Sequence, residues 1–362
     1  MLISFLITFV LLTIISTYAF TRFRYSTAFG VLNLVIIAVA VGFREFGYDY
    51  YSYQSIYQAI VSGEGYITEW ITQLIVLASD SSGIGFKGFL TVYALMNFSL
   101  LYVVARMERI SLTLFLSVYC ILLFSTGPLV TIRSSLSSLI FCIAFSLYFR
   151  GRWLQALVTL VIAFAFHGAA LAAAVISLLV AFGKNILKCK NKVLFIYFFL
   201  ISLAIHTIVG LSNISEFISL FTDNEALLML AGRVEAYQSY VWLDFSSVVH
   251  YFQVVSIVVG IICYRLLNPR LDKLHEHENL VSHRQDVFAS DVVNSTIVFG
   301  GVSFLYFNLV WGVRIMEFMA PLLAILIVKY GQNRRHVPLL ILFVINLVNV
   351  FLGYMSSLNW KF

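Results

Sequence analysis

Four arginines are the side chains of this sequence best placed to do chemistry: Arg44, Arg133, Arg233 and Arg314. Each lies beside a long hydrophobic run, in a segment where membrane proteins usually carry few basic residues. The guanidinium group is planar and can donate two parallel hydrogen bonds to a phosphate. The residue type and its placement therefore predict an anion-binding site, and we expect the anion to be a pyrophosphate.

The segment around the first arginine combines a cation with carboxylates and tyrosines. Glu45, Asp49 and Tyr50 follow Arg44 closely. We expect Arg44 to bind phosphate, while Asp49 or Glu45 orients sugar hydroxyls or accepts a proton. Tyr50 would stack on a sugar ring. In the alternative interpretation, Arg44 pairs with Glu45 and the tyrosines form an interfacial aromatic belt.

Two further candidates lie deeper in hydrophobic sequence. Arg133 is about one turn inside a predicted span, and serines follow at 134, 135, 137 and 138. A charge at this depth is costly unless it faces a cavity or partner, or snorkels outward. The serines let helices pack closely or hydrogen-bond a polar ligand. His167 can donate to a phosphate or act as a base near neutral pH, or it is a structural histidine.

The remaining arginines lie later in the chain. Arg314 precedes Glu317 by three residues, so the two side chains can simply pair on one helical face. In the functional interpretation, Glu317 holds the guanidinium of Arg314 toward a phosphate. Arg233 lies in a polar loop, where a solvated side chain is the alternative.

The composition requires a membrane environment. Of 362 residues, 61% are hydrophobic and only 11% are charged, a balance that no soluble domain tolerates. The net charge of +6 comes mostly from loop lysines and arginines that fix orientation, so it does not indicate nucleic-acid binding. The four cysteines form no CxxC motif and no pair in an external loop, which argues against disulfides.

Hydrophobic runs of suitable length predict an all-α, polytopic membrane protein with about 12 transmembrane helices in a single domain, 1–362. The candidate spans are 1–20, 27–43, 86–105, 110–126, 129–149, 153–166, 168–183, 193–211, 247–266, 292–312, 315–330 and 338–356. With the N-terminus outside, most of the 23 lysines and arginines lie on the cytoplasmic side. The four arginines then lie on the external side.

Two turns are predicted within hydrophobic sequence. Basic residues flank 153–183 on both sides, so its ends share one face of the membrane and the chain turns back near His167-Gly168. Each arm would have about 15 residues, or roughly 22 Å of helix, which leaves this turn below the outer surface. Non-helical backbone at that depth must be buried in protein or line a wet cavity. Gly127-Pro128 predicts a similar turn, because proline lacks an N–H.

Three loops are long enough to contribute structure of their own. Loops 44–85 and 212–246 are external, and loop 267–290 is cytoplasmic and polar. Tyr53, Ile56, Tyr57 and Ile60 share one helical face in the first loop, and a similar pattern recurs in the second. We interpret both external loops as amphipathic segments at the outer interface.

The histidines of loop 267–290 do not indicate a metal site. They lack the HExxH spacing that places two ligands on one helical face. No external DxD-like pair is present to hold a divalent metal with a nucleotide-sugar. We therefore expect a metal-independent site without a cofactor, in which arginines neutralise the charge.

Several of these segments resemble EpsG-like and O-antigen polymerase (Wzy) proteins. Residues 43–53, FREFGYDYYSY, resemble the FR…GDY…Y segment of that family, and Ile132-Arg133 with its small-residue helix resembles another. Residues 166–170, FHGAA, are similar to the family's FH-small-A turn, and residues 314–317 to its late arginine segment. Ser-Ser stands here where Gln-Ala often follows the mid-chain arginine.

The resemblance implies a membrane glycosyltransferase of the GT-C-like type in the bacterial inner membrane, active at the periplasmic face. It would transfer a growing glycan from undecaprenyl pyrophosphate onto a repeat unit on the same lipid, with the arginines binding pyrophosphate. Its partners would be these donor and acceptor lipids and the bilayer; a chain-length regulator and a flippase are further candidates. Asp49 is the first choice for the base, ahead of Glu45, His167 and Glu317.

Other functions stay open. Another lipid-linked-sugar glycosyltransferase, or an O-antigen ligase, would use the same donor with a different acceptor. A transporter or flippase for a lipid-linked glycan predicts inverted repeats and charges near the bilayer midplane. The sequence has no such repeat and its notable cations cluster toward one face, which favours an enzyme. A structural assembly partner with snorkelling arginines is the last alternative.

Overall fold

The computed structural model describes residues 27–44, 49–63, 69–123, 131–185 and 309–331. Within these ranges the chain forms nine α-helices and no strands, which confirms the all-α prediction for this part of the chain. The helices are α1 Thr27–Gly42, α2 Tyr50–Val61, α3 Trp70–Ser81, α4 Gly85–Glu108, α5 Leu112–Leu123, α6 Ile132–Phe149, α7 Trp153–Phe166, α8 Ala169–Asn185 and α9 Leu309–Gly331.

Two of the described helices are long and apolar enough to cross a membrane: α4, over Gly85–Met107, and α6, over Ile132–Phe149. Shorter apolar runs lie in α1, α7 and α8. The outward faces of α1 and α7 expose large apolar side chains, among them Leu32, Val35, Leu157 and Val161. Contiguous surfaces of this kind are rare on soluble monomers, and they suit contact with lipid or with other apolar segments.

Helices α6 and α7 form the central hairpin. The chain reverses at Gly151, whose φ of 75° is the left-handed conformation that glycine adopts without steric cost. The Arg152 N–H donates to the carbonyl of Leu147 and closes the turn at 3.0 Å. Further along, Ser137 Oγ donates to the carbonyl of Ala163 at 2.7 Å, which ties α6 to α7.

The predicted turn between α7 and α8 is confirmed. Helix α7 ends at Phe166, His167 is extended with φ −162° and ψ 125°, and α8 begins at Ala169. Helix α7 has 14 residues, or about 21 Å of length at 1.5 Å per residue. A bilayer core is about 30 Å thick, so a helix of this length that starts at one surface ends before it reaches the other.

Loop 44–85 folds into α2 and α3, which pack over the first half of α4. The predicted apolar face of α2 is confirmed, with Tyr53, Tyr57 and Ile60 buried. Tyr57 contacts Phe86 and Phe89 of the α4 region, at ring-centroid distances of 5.6 and 6.0 Å. These contacts cover the N-terminal turns of α4 with aromatic rings.

Close packing of α1 on α4 brings the end of α1 into the protein. A Cβ on Gly42 would lie 2.9 Å from Thr91 Oγ1 and 3.0 Å from its Cα, tighter than nearly all real Cβ contacts. Glycine therefore permits this approach. Two residues later, Arg44 is buried with 2% of its surface exposed.

The predicted division of the last described segment into spans 292–312 and 315–330 is wrong at that boundary. Helix α9 runs without a break from Leu309 to Gly331, through Gly312 and Arg314. A single glycine costs a helix only about 1 kcal/mol relative to alanine, so Gly312 does not end it. Pro321 also lies within this helix, where it cannot donate to the carbonyl of Glu317.

Other predictions lie outside the described residues. These are spans 1–20, 193–211, 247–266 and 338–356, loops 212–246 and 267–290, and the turn at Gly127-Pro128. The helices on either side of that turn end at Leu123 and begin at Ile132.

Candidate functional site

One carboxylate joins two of the residues that the sequence marked out. Glu69 Oε2 accepts a hydrogen bond from Arg133 Nη1 at 2.9 Å. The other oxygen, Oε1, lies 3.6 Å from His167 Nδ1, an ion-pair distance slightly longer than a good hydrogen bond. Glu69 directly precedes α3, Arg133 is in the first turn of α6, and His167 is the turn between α7 and α8. Three separate elements therefore converge on this cluster.

The cluster is buried but not sealed. The exposed fractions of the side chains are 8% for Glu69, 18% for Arg133 and 22% for His167. A charge pair in such surroundings is strongly coupled, and removing one partner of a buried pair typically costs about 3–5 kcal/mol. Part of the Arg133 side chain and part of the His167 side chain therefore remain accessible from outside the protein.

The protonation state of Glu69 follows from its neighbours. Burial alone would raise the pKa of this carboxyl, but the contact with His167 and the charges of Arg133 and His167 outweigh it and lower the pKa to about 2. Glu69 is therefore ionised throughout the physiological range. So weakly basic a carboxylate is a poor proton acceptor, and its role here is to hold its two neighbours.

Tyr53 connects this cluster to a second arginine. The guanidinium carbon of Arg133 lies 5.5 Å from the centroid of the Tyr53 ring, within cation–π range. Tyr53 also interacts electrostatically with Arg44. Burial lowers the pKa of Arg44 to about 10, against the opposing influence of Tyr53, Asp49 and Tyr50, so the guanidinium stays charged near neutral pH. Two cations, the buried Arg44 and the partly exposed Arg133, thus lie around one tyrosine.

A buried polar network fixes the start of α6 beneath the cluster. The Asn97 side chain donates to the carbonyl of Ile132 at 3.3 Å and accepts from Ser135 Oγ at 3.1 Å. The hydroxyls of Ser135 and Tyr119 are 2.9 Å apart. Because Ile132 and Ser135 flank Arg133, these bonds hold the arginine in place relative to α4 and α5.

Helix α9 closes another side of the cluster. The ring of Phe318 stacks on His167 with a centroid distance of 6.5 Å and an interplanar angle of 13°. Glu317 is buried beside it and interacts electrostatically with Tyr119. Arg314 lies in the same helix, but its side chain is outside the described residues, so its pairing with Glu317 stays a prediction.

The remaining predicted site residues have mixed surroundings. Asp49 precedes α2 without capping it through its side chain, and it interacts with Arg44. The Tyr50 ring is buried edge-on against Phe86 at 5.3 Å, and its binding of a glycan stays a prediction. Glu45 and Arg233 lie outside the described residues.

The serines that follow Arg133 bond to the protein itself. Ser134 and Ser138 donate to carbonyls of their own helix, at Thr131 and Ser135, and Ser137 donates across to α7. Of the two interpretations of this run, the helix-packing one describes these contacts.

Glu69 was not among the residues that the sequence pointed to. It is 64 residues from Arg133 in the chain, and no spacing rule links the two. The sequence offers only a general signal: a cation in apolar sequence requires a nearby anion, and Glu69 is one of five carboxylates in loop 44–85. In the described part of the chain, no group of three or more His, Cys, Asp or Glu residues could hold a metal ion.

Comparison with known proteins gives one match. The family model described as the EpsG family matches residues 27–361. Comparisons with curated proteins and with solved structures gave no significant match.

Proposed function

The chain belongs to the EpsG family, and from that membership we propose that it is a polymerase of a bacterial surface polysaccharide such as O-antigen. It transfers a growing glycan from undecaprenyl pyrophosphate onto a repeat unit carried by the same lipid. The reaction takes place at the periplasmic face of the inner membrane. The family and the apolar helices support the coarser statement that this is a membrane protein of polysaccharide biosynthesis.

The observation that carries the proposal is the meeting of Arg133, Glu69 and His167 at the ends of α6 and α7. Cleavage of a glycosyl pyrophosphate builds negative charge on the leaving oxygen. A cation held in place before the reaction stabilises that charge more than it stabilises the ground state, which is the requirement for catalysis. A histidine beside the cation can handle the proton of the attacking hydroxyl.

In this proposal, the arginines named from the sequence divide the work of binding pyrophosphate. Arg133 binds from the cluster that it forms with Glu69 and His167, and Arg44 binds from beside Tyr53. Arg233 and Arg314 contribute from the later part of the chain. Asp49 or His167 accepts the proton, and Glu45 and Tyr50 contact the glycan. Glu317 holds the guanidinium of Arg314 toward the pyrophosphate. No metal ion is needed, because the guanidinium groups supply the positive charge.

The depth of the cluster fits a lipid-linked substrate. Helix α7 is short, so the His167 turn lies below the membrane surface when α7 starts at the opposite one. A pyrophosphate attached to a membrane lipid approaches from the bilayer at about that level. We propose a GT-C-like arrangement of membrane spans, their number set by the hydrophobic runs at about 12 before the correction at α9, with α2 and α3 covering the site from the periplasm.

The test is complementation of a deletion strain, with the surface glycan resolved as a ladder on a gel. We expect Arg133→Ala to leave only single repeat units, whereas wild type restores the full ladder. Arg150→Ala is the matched control, because Arg150 ends the same helix and also pairs with a glutamate. All variants must reach the membrane in equal amounts.

Other outcomes overturn parts of the proposal. A full ladder with Arg133→Ala would show that the cluster is not the active site. Unchanged polymer length in the deletion strain would exclude a polymerase, and accumulation of repeat units on the cytoplasmic leaflet would indicate a flippase. Normal polymer that is not attached to its final acceptor would indicate a ligase.

A further inference from the structure

The two oxygens of Glu69 are divided between the two residues proposed to act on the substrate. Oε2 binds Arg133 and Oε1 faces His167. Resting on the proposed function, we propose that Glu69 is the positioning residue that makes His167, rather than Asp49, the base of the transfer reaction. Neither the family match nor the sequence pattern assigns a role to Glu69.

The position of Glu69 indicates which ring nitrogen of His167 carries the hydrogen. In a neutral imidazole, one nitrogen carries the hydrogen and the other is an acceptor. His167 Nδ1 lies 3.6 Å from the ionised Glu69, an arrangement that favours the hydrogen on Nδ1 and the lone pair on Nε2. Phe318 stacks on the ring and limits its rotation. A carboxylate behind a histidine orients it in this way and also stabilises the imidazolium that forms.

The chemical step balances with these groups alone. The acceptor hydroxyl oxygen attacks the anomeric carbon of the donor and forms the new glycosidic C–O bond. The bond from that carbon to the pyrophosphate oxygen breaks, and its electron pair leaves with undecaprenyl pyrophosphate. Arg133 faces the leaving pyrophosphate and stabilises its charge. The hydroxyl proton moves to His167 Nε2, and the imidazolium later releases it to water.

Asp49 and Glu69 are less suited to accept the proton. Asp49 interacts with the buried Arg44 and stabilises the charge of that guanidinium, an interaction that protonation of Asp49 would weaken. Glu69 has a pKa of about 2, because the contacts with His167 and Arg133 outweigh its burial. Ionisable groups on the described elements around His167 include Glu69 before α3, Tyr93 on α4, Arg133 on α6, and Arg314 and Glu317 on α9.

The experiment uses purified full-length protein in lipid nanodiscs. The probe is the lipid-linked repeat unit that accumulates in the deletion strain, supplied as both donor and acceptor. Polymer formation is followed against pH for wild type, Glu69→Gln, His167→Asn and the matched control Glu108→Gln. Size-exclusion profiles and melting temperatures establish that each variant is folded.

We expect Glu69→Gln to lower kcat at least about 10- to 100-fold, the loss seen when a carboxylate that orients a metal-bound histidine is removed. KM should change less than about threefold, because glutamine still offers an oxygen to Arg133. The acid-side midpoint of the pH–rate profile should move to lower pH by roughly one unit, because the imidazolium loses its carboxylate. Glu108→Gln should behave as wild type.

A double variant distinguishes whether Glu69 acts by positioning His167 or only by stabilising the fold. In the His167→Asn background, which should lack the acid-side limb, Glu69→Gln should cost less than about threefold, since Glu69 acts through His167. Full multiplication of the two losses, or a Glu69→Gln loss that is uniform across pH, would overturn the inference. Wild-type protein that forms no polymer from this probe would instead refute the proposed function, so the two failures are distinguishable.

Discussion

Each end of α6 carries an arginine–glutamate ion pair, and the two pairs have almost the same length. Arg133 Nη1 lies 2.9 Å from Glu69, and Arg150 Nη2 lies 2.8 Å from Glu108. Their surroundings differ. The Arg150 side chain is 41% exposed and the Arg133 side chain 18%. Arg150 also donates to the carbonyl of Met107, so it ties down the last turn of α4.

The comparison teaches that an ion pair does not by itself mark a site. The pair at Arg150 joins two helix ends, and the further contact of Arg150 is a backbone carbonyl rather than a titratable side chain. At Arg133, the glutamate faces a histidine as well, and Tyr53 lies against the guanidinium. Function is indicated by what surrounds the pair: a second titratable group, burial, and convergence of three elements.

Exchanging the two charges within each ion pair should give the largest difference in activity between the two ends of α6. Glu69→Arg with Arg133→Glu keeps a possible ion pair but reverses the field at His167 and repels pyrophosphate. We expect at least a 100-fold loss of polymerisation, comparable to the loss of an oxyanion-stabilising donor. Glu108→Arg with Arg150→Glu should keep activity within about twofold. Equal losses at both ends, measured with the lipid-linked repeat unit in nanodiscs, would mean that Arg133 is only structural.

Replacing Arg133 or Arg150 by lysine keeps the positive charge but removes the planar guanidinium group. Lysine offers a point charge and cannot engage phosphate oxygens bidentately. We expect Arg133→Lys to lower kcat/KM about tenfold, a difference of about 1.4 kcal/mol, and Arg150→Lys to have no measurable effect. Full activity of Arg133→Lys in the same assay would show that only charge matters at this position.

Acid stability should distinguish the two ends in a smaller way. The pKa of Glu69 is lowered from 4.5 to about 2, because its contacts with His167 and Arg133 outweigh its burial. Its ionised form therefore stabilises the fold fully above about pH 4.5, and this contribution is lost as the pH falls through about 2. The difference in melting temperature between wild type and Glu69→Gln should shrink as the pH falls from 4.5 toward 2. At neutral pH, Glu108→Gln should cost at most about 1 kcal/mol.

A constant difference between wild type and Glu69→Gln from pH 7 to pH 3 would contradict this expectation. It would mean that the carboxylate contributes by packing rather than by its charge.

The sequence predicts the parts of this site that depend on local rules. Arg133 is conspicuous because a cation in apolar sequence is costly, and the His167 turn follows from basic residues on both sides of 153–183. The apolar face of α2 follows from helical periodicity. Glu69 is not predictable in this way, because its partners are distant in sequence and come together only when α3, α6 and α7 pack. The continuity of α9 is not predicted, because the sequence interpretation places Arg314 on the external side between two spans, whereas the helix runs through that residue.

Ser137, about a third of the way along α6, should show the smallest effect, because it belongs to neither ion pair. Its hydroxyl donates to the carbonyl of Ala163 across the hairpin, whereas Ser138 bonds within its own helix. We expect Ser137→Ala to lower stability by about 0.5–1.5 kcal/mol, the usual net value of a hydrogen bond, and Ser138→Ala to cost less. Thermal unfolding in detergent measures both. If Ser137→Ala abolished polymerisation without lowering the melting temperature, the serine would be contacting substrate, and the reactive region would extend down α6 toward the Arg150 end.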